Sequence, residues 1–168
     1  MKWLESITVQ RSESENYYQR HDYKILPPEA TNEEEAEKFW DITPALQDMP
    51  INSVIGVPQS GEAVRPDADG TIAVKGYALP QGSGGPVEKV EVSVDEGKKW
   101  TEAELVGDRG KWSWTLWKAQ LHVARGELVR ILSRATDRAG NIQRGDSEWN
   151  LRGVAYHGFG EARDVEIL

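Results

Sequence analysis

The chain contains no cysteine. Its own side chains therefore supply no disulfide, no zinc–thiolate site, no iron–sulfur ligand and no cysteine nucleophile. Histidine is scarce. His21, His122 and His157 stand far apart and show no metal-ligand spacing, so each reads as a surface or packing residue. No apolar run approaches the length of a membrane span. Met1-Lys2-Trp3-Leu4 leads straight into polar residues, which does not read as a signal peptide. Positive charge is in deficit: the net charge is -8 and the pI about 5.0. That balance argues against nucleic acid and against an anionic membrane as partners, while leaving room for a local basic pocket. The glycine-rich stretch at residues 81–86 has neither a Walker lysine nor a following helix, so it is a loop and no phosphate cradle.

What the chain does have is 168 residues, 38% hydrophobic and 29% charged. This is enough for one ordinary domain plus a flanking segment. Residues 1–30 open with a β-like run at 4–9 and continue into an aromatic-rich stretch ended by Pro27-Pro28. The piece is too small to fold alone. Residues 31–50 form an acidic linker. Within it residues 31–40 predict a short helix, with Thr31 or Asn32 as N-cap and glutamates in the first turn.

From residue 51 short apolar stretches alternate with Gly, Pro and Asp turns about every ten residues, the texture of an all-β sandwich. Strands are expected at 51–58 and 71–78, the second with Ile72, Val74, Gly76 and Ala78 on one face. Another carries Val90, Val92 and Val94 on one face. A hairpin turns at Asp95-Glu96-Gly97, and Trp100 starts the return strand. Seven tryptophans is a high number for this length, and Trp112-Ser113-Trp114-Thr115-Leu116-Trp117 is the strongest strand signal. Trp112, Trp114 and Leu116 share a face there and are expected in the core, with a carbohydrate platform or partner surface as the other reading. Residues 128–137 form a long strand and 164–168 a last edge strand. The expected total is about seven antiparallel strands on an immunoglobulin-like plan.

The run Glu148-Trp149-Asn150-Leu151-Arg152-Gly153-Val154 holds the most suggestive residue, Arg152. A guanidinium is always charged and offers a planar fork of donors suited to carboxylate, phosphate or sulfite. The plainer reading is a surface arginine stacked on Trp149 or paired with a carboxylate. The carboxylates Asp95, Glu96 and Asp137 lie in turns, where such residues are usually structural.

Taken together, the pieces Lys2-Trp3-Leu4, Asp22-Tyr23-Lys24, Lys75-Gly76-Tyr77-Ala78, Ala135-Thr136-Asp137 and Trp149-Asn150-Leu151-Arg152-Gly153-Val154 form a pattern. With Pro50-Ile51-Asn52-Ser53-Val54-Ile55, residues 90–100 and Lys111-Trp112-Ser113-Trp114, they occur in the order found in one family. The chain resembles the C-terminal part of molybdenum-cofactor sulfite oxidases and, more distantly, assimilatory nitrate reductases. The resemblance implies an all-β fold, an immunoglobulin-like antiparallel β-sandwich with an N-terminal remnant of the molybdopterin-binding domain. Residues 1–30 would be the tail of that domain, 31–50 the acidic linker and 51–168 the dimerisation domain.

The resemblance further implies a homodimer, associating through a sheet face on the side of Tyr77 or of Trp117. It implies that Arg152 binds the substrate anion, and that Lys2 lies among the residues contacting the molybdopterin–molybdenum cofactor. The complete enzyme would oxidise sulfite to sulfate. This chain departs from the family in lacking the cysteine that ligates molybdenum, and it is looser and glycine-rich after Arg152. It is therefore expected to be catalytically incomplete alone, to bind no cofactor tightly and to hold no catalytic or metal-ligating residue of its own. The alternative is a stand-alone immunoglobulin-like module binding carbohydrate or protein. A free-standing enzyme would have only carboxylates to work with. The ending Val165-Glu166-Ile167-Leu168 is not the peroxisomal signal, and the sequence assigns no compartment.

Overall fold

A computed structural model describes residues 2–168. The chain forms two compact units, one of Met1–Leu46 with Trp149–Val154 and the other of Gln47–Glu148 with Ala155–Leu168.

The larger unit is nearly all strand. In chain order these are β1 (Asn52–Val57), β2 (Ala63–Val64), β3 (Thr71–Leu79), β4 (Val87–Ser93) and β5 (Thr101–Glu102). They are followed by β6 (Glu104–Val106), β7 (Thr115–His122), β8 (Leu128–Asp137) and β9 (Gly160–Ile167). They build a four-stranded sheet, β1-β3-β7-β6, and a five-stranded sheet, β2-β9-β8-β4-β5. All neighbours are antiparallel except β2 and β9, which are parallel. Alternate residues of both sheets, among them Ile72, Val74, Val90, Val92, Ile131 and Val165, meet in one core. This is an immunoglobulin-like β-sandwich, as expected.

One pairing sets the geometry of the four-stranded sheet. Gly76 of β3 stands opposite Trp117 of β7, and Trp117 is 2% exposed. A Cβ at position 76 would lie 1.9 Å from the Val54 carbonyl oxygen and 2.4 Å from the Trp117 ring. Glycine is therefore required at 76 by close approach, and the indole fills the space a side chain would take.

That register corrects the expectation for the tryptophan run. The strand starts at Thr115, and Thr115, Trp117 and Leu121 point inward. Trp112, Trp114 and Leu116 are 69%, 59% and 51% exposed, so they are surface and not core. The Trp117 side is buried inside the sandwich and is no association face. Three smaller differences follow. β9 is not an edge strand, because the two-residue β2 covers it. Residues 4–9 form no strand, and Leu4, Ile7 and Val9 are exposed. The return strand of the hairpin begins one residue after Trp100, following positive φ at Glu96 and Gly97.

The outer face of the five-stranded sheet is charged and paired. Arg134 Nε donates to Glu91 Oε2 at 2.9 Å, and Lys89 lies 3.2 Å from the same oxygen. Arg130 bridges Glu96 and Glu161, and Arg163 donates to the other oxygen of Glu161. Desolvation opposes ionisation of Glu91, but hydrogen bonds from Arg134 and Lys89 outweigh it and hold its carboxyl below the ordinary range. Desolvation of Glu161 is likewise outweighed by hydrogen bonds from Arg163 and Arg130.

The smaller unit contains one short helix, α1 (Glu33–Ala36). The Asn32 side chain caps it by accepting from Glu35 N at 3.0 Å, and Glu35 Oε2 reaches back to Thr31 N at 3.0 Å. Ala36 is buried with Leu26, Ala30 and Trp40, and Phe39 and Leu151 pack against them.

Two outcomes follow. Trp117→Ala should destabilise the chain by about 3–5 kcal/mol, read by urea unfolding. Gly76→Ala should also destabilise it, by about 1–3 kcal/mol or more, because the added carbon has nowhere to go. A neutral Gly76→Ala would contradict the close approach. For acid, the depressed carboxyls of Glu91 and Glu161 add stability that is fully present above their ordinary value of 4.5. It is lost as pH falls through their lower folded values. The melting temperature should hold steady above that value and drop below it. Glu161→Gln should melt lower at neutral pH and lose less on acidification; an unchanged acid slope would remove Glu161 from the effect.

Candidate functional site

Arg152 sits on a tight turn within the smaller unit. Asn150 is buried and closes the turn with both ends of its amide: Oδ1 accepts from Val154 N at 3.1 Å, and Nδ2 donates to Val154 O at 3.0 Å. Gly153 has φ +60, which favours glycine, and its N–H donates to Asn150 O at 2.9 Å. Leu151 turns inward onto the Leu26–Trp40 cluster. With 150, 151 and 153 so occupied, Arg152 is left at the turn's apex.

The guanidinium is paired. Arg152 Nη2 donates to Asp22 Oδ1 at 2.5 Å, with the arginine side chain 33% exposed. Asp22 ends a single π-helical turn, Tyr18–Asp22, closed by Tyr23 N on Tyr18 O at 3.1 Å. One of the five donors of the guanidinium is thus engaged by Asp22, and its partial exposure leaves the fork reachable by a small anion. Of the alternatives for Arg152, the structure realises the carboxylate partner and not stacking on Trp149, which is exposed. Close by in sequence, Lys24 is buried and its ammonium donates to the Trp40 carbonyl. Asp22 is the member of this pair that sequence reasoning did not single out. It lies 130 residues from Arg152, and nothing in its local spacing marks it.

Lys2 is exposed, and no hydrogen bond or ion pair joins it to Arg152. Asp137 and Asp95 are turn anchors. Asp137 is buried and accepts from Asn141 N at 3.0 Å and from Gln81 N at 3.0 Å. Asp95 accepts from Lys99 N at 2.9 Å and from Ser93 Oγ at 2.8 Å, which together hold its carboxyl below the ordinary range. His21 stacks on Tyr17 with ring centroids 4.9 Å apart, and His157 Nδ1 lies 3.1 Å from Ala155 O, so both are packing residues as expected. Among the described residues no three or more His, Asp or Glu converge on a point that suits a metal ion. The chain has no thiolate either. Its residues do not fit a molybdenum centre.

Comparison with known proteins places these features. The family model described as the Mo-co oxidoreductase dimerisation domain matches residues 43–159. The chain is similar to the mitochondrial sulfite oxidase of Rattus norvegicus, 38% identical over 161 residues, covering 92% of this chain and 28% of that protein. It is similar to the sulfite oxidase of Arabidopsis thaliana, 34% identical over 167 residues, covering 92% and 40%. Among solved structures, the sulfane dehydrogenase SoxCD of Paracoccus pantotrophus shares the fold. It has a TM-score of 0.60 at 24% identity, covering 88% of this chain and 35% of that one. The chain thus spans less than half the length of the curated relatives it matches. With the family model covering most of the sandwich and the sheet order of an immunoglobulin-like fold beneath it, the chain belongs to the Mo-co oxidoreductase dimerisation domain family.

Proposed function

We propose that this chain is the assembly module of a sulfite oxidase-type molybdopterin enzyme, working as a homodimer. The observation that carries the reading is the family match across residues 43–159, joined to sulfite oxidases aligned over 92% of the chain. In the complete enzyme a molybdopterin–molybdenum group supplies the two-electron oxidation of sulfite to sulfate. Its metal ligands come from outside this chain, which has no cysteine. The larger unit provides the association surface. Residues 1–30 belong with the cofactor domain and 51–168 supply the dimerisation domain; of the expected 31–50 link, residues up to Leu46 pack in the smaller unit, which also takes Trp149–Val154.

Arg152 is the substrate-binding residue in this reading. It presents a fixed positive charge, and Asp22 orients its fork from one side. A doubly charged oxyanion is a strong partner for the remaining donors. Lys2 contacts the cofactor when that group is present. A stand-alone carbohydrate-binding module is not favoured, because the relatives are oxidoreductases and the family is an assembly domain.

Sedimentation of the purified chain over a micromolar series tests the assembly reading. A mass near twice 18.8 kDa is expected, and a persistent monomer would remove homodimerisation from the function. Arg152 is tested in a molybdenum-loaded enzyme that contains this chain. Arg152→Met should raise KM for sulfite about tenfold or more, the scale of one lost charge-assisted hydrogen bond. A lower melting temperature with KM unchanged would instead leave Arg152 a purely structural partner of Asp22.

A further inference from the structure

We propose that Gln143 is a positioning residue for the anion site: from inside the sandwich it clasps the base of the loop that carries Arg152. This role rests on Arg152 binding the substrate anion, and it adds the residue that sets the loop's footing.

The loop leaves the sandwich after β8 and returns at β9. Residues 143–148 and 155–159 belong to the larger unit, and Trp149–Val154 between them carry Arg152. Gln143 follows the Thr136–Ile142 bridge that closes the turn after β8, and it is buried. Its N–H donates to Ala135 O at 3.0 Å, which holds the outgoing foot of the loop against β8. Its side chain reaches the returning foot. Nε2 donates to Gly158 O at 2.6 Å, while Oε1 accepts from Ala135 N at 3.2 Å and from Ser53 Oγ at 2.7 Å. The amide has one orientation open to it, because a backbone N–H faces one end and a carbonyl the other.

The clasp is anchored in both sheets. Ser53 lies on β1 of the four-stranded sheet and Ser133 on β8 of the five-stranded one, and both are buried. Their hydroxyls are 2.9 Å apart. Ser53 gives its proton to Gln143 Oε1, so Ser133 is the donor to Ser53. Donation thus runs in one direction from Ser133 through Ser53 to Gln143 and on to Gly158. A buried polar network with its members satisfied specifies one arrangement of the chain. Apolar side chains would fill the same space without selecting the Gly158 carbonyl.

Further contacts hold the returning foot. Asn52 Nδ2 donates to Tyr156 O at 3.0 Å, and His157 N donates to Ser147 Oγ at 3.3 Å. The Phe159 ring meets Trp100 edge-on with centroids 5.1 Å apart. Ala155, where the chain re-enters the larger unit, has φ +56. Residues with side chains rarely adopt that left-handed conformation, and it persists only where the surroundings hold it. A footing this constrained, directly after the Asn150–Val154 turn, limits where the Arg152 fork can stand.

The test is a double-mutant cycle in a molybdenum-loaded enzyme that contains this chain. It is read by the KM for sulfite and by the dissociation constant of sulfate, measured by calorimetry without turnover. Gln143→Met keeps the side-chain length and removes its three hydrogen bonds. It should raise both constants about three- to tenfold, with kcat changed less than about twofold. In the Arg152→Met background the same change should move them less than about twofold, because the fork it positions is gone. Val74→Ala, buried in the core away from the loop, should lower the melting temperature and leave both constants within about twofold. Where Gln143→Met does not fold, Asn52→Ala takes its place and should raise both constants about two- to threefold; no change there would overturn the clasp. Constants unchanged in Gln143→Met but raised in Arg152→Met would make Gln143 a core residue only and leave the anion site standing. An equal loss in both backgrounds would also overturn the positioning role. Arg152→Met leaving both constants unchanged would overturn the anion reading, and the role of Gln143 with it.

Discussion

The indole of Trp117 lies across Gly76 in the middle of the four-stranded sheet, and much else depends on that contact. A tryptophan is the largest side chain a core holds, and it fits here only because the opposing strand has no Cβ at that point. The fit locks the register of β7 on β3. Side chains alternate across a strand, so fixing Trp117 inward fixes Leu116 and Lys118 outward. The indole N–H finds no acceptor among the described residues. An unsatisfied buried donor costs about 1–3 kcal/mol, so the packing of the ring has to outweigh it.

The same register gives the sandwich two unlike outer surfaces. One carries a lattice of arginines and glutamates that hold one another in place. The other carries Val54, Tyr77, Leu116 and Val106 in a line, with Trp114 against Tyr77. Large contiguous apolar patches are rare on monomers and mark surfaces that meet something else. The sandwich therefore presents one charge-paired outer face and one that carries an exposed apolar row. In the smaller unit Asn150 and Gly153 shape a turn, Leu151 anchors it, and Asp22 holds the Arg152 fork.

Much of this was legible in the sequence. Alternating valines in 90–94 and the long apolar run of 128–137 marked their strands, and Thr31 or Asn32 followed by glutamates marked the helix start, where Asn32 is the cap. The tryptophan run misled because its outward face, Trp112, Trp114 and Leu116, is the more apolar one, while the inward face sets the polar Ser113 and Thr115 beside Trp117, so a six-residue window points the wrong way. A longer window tells inside from outside: past Trp117 the outward positions are Lys118, Gln120 and His122, while Ala119 and Leu121 continue the apolar side. β2, two residues long, carries no periodic signal at all, so β9 read as an edge. The run at 4–9 has strand-like residues but no strand to pair with. The Arg152–Asp22 pair joins segments 130 residues apart, a distance no local pattern spans.

Hydroxyl-radical footprinting of the chain, at a concentration that populates the monomer, bears most directly on the outward register. Trp114 and Tyr77 should react readily, as should exposed Trp149, while Trp117 stays unreactive. A reactive Trp117, or a Trp114 as shielded as Trp117, would contradict the register that Gly76 and Trp117 set.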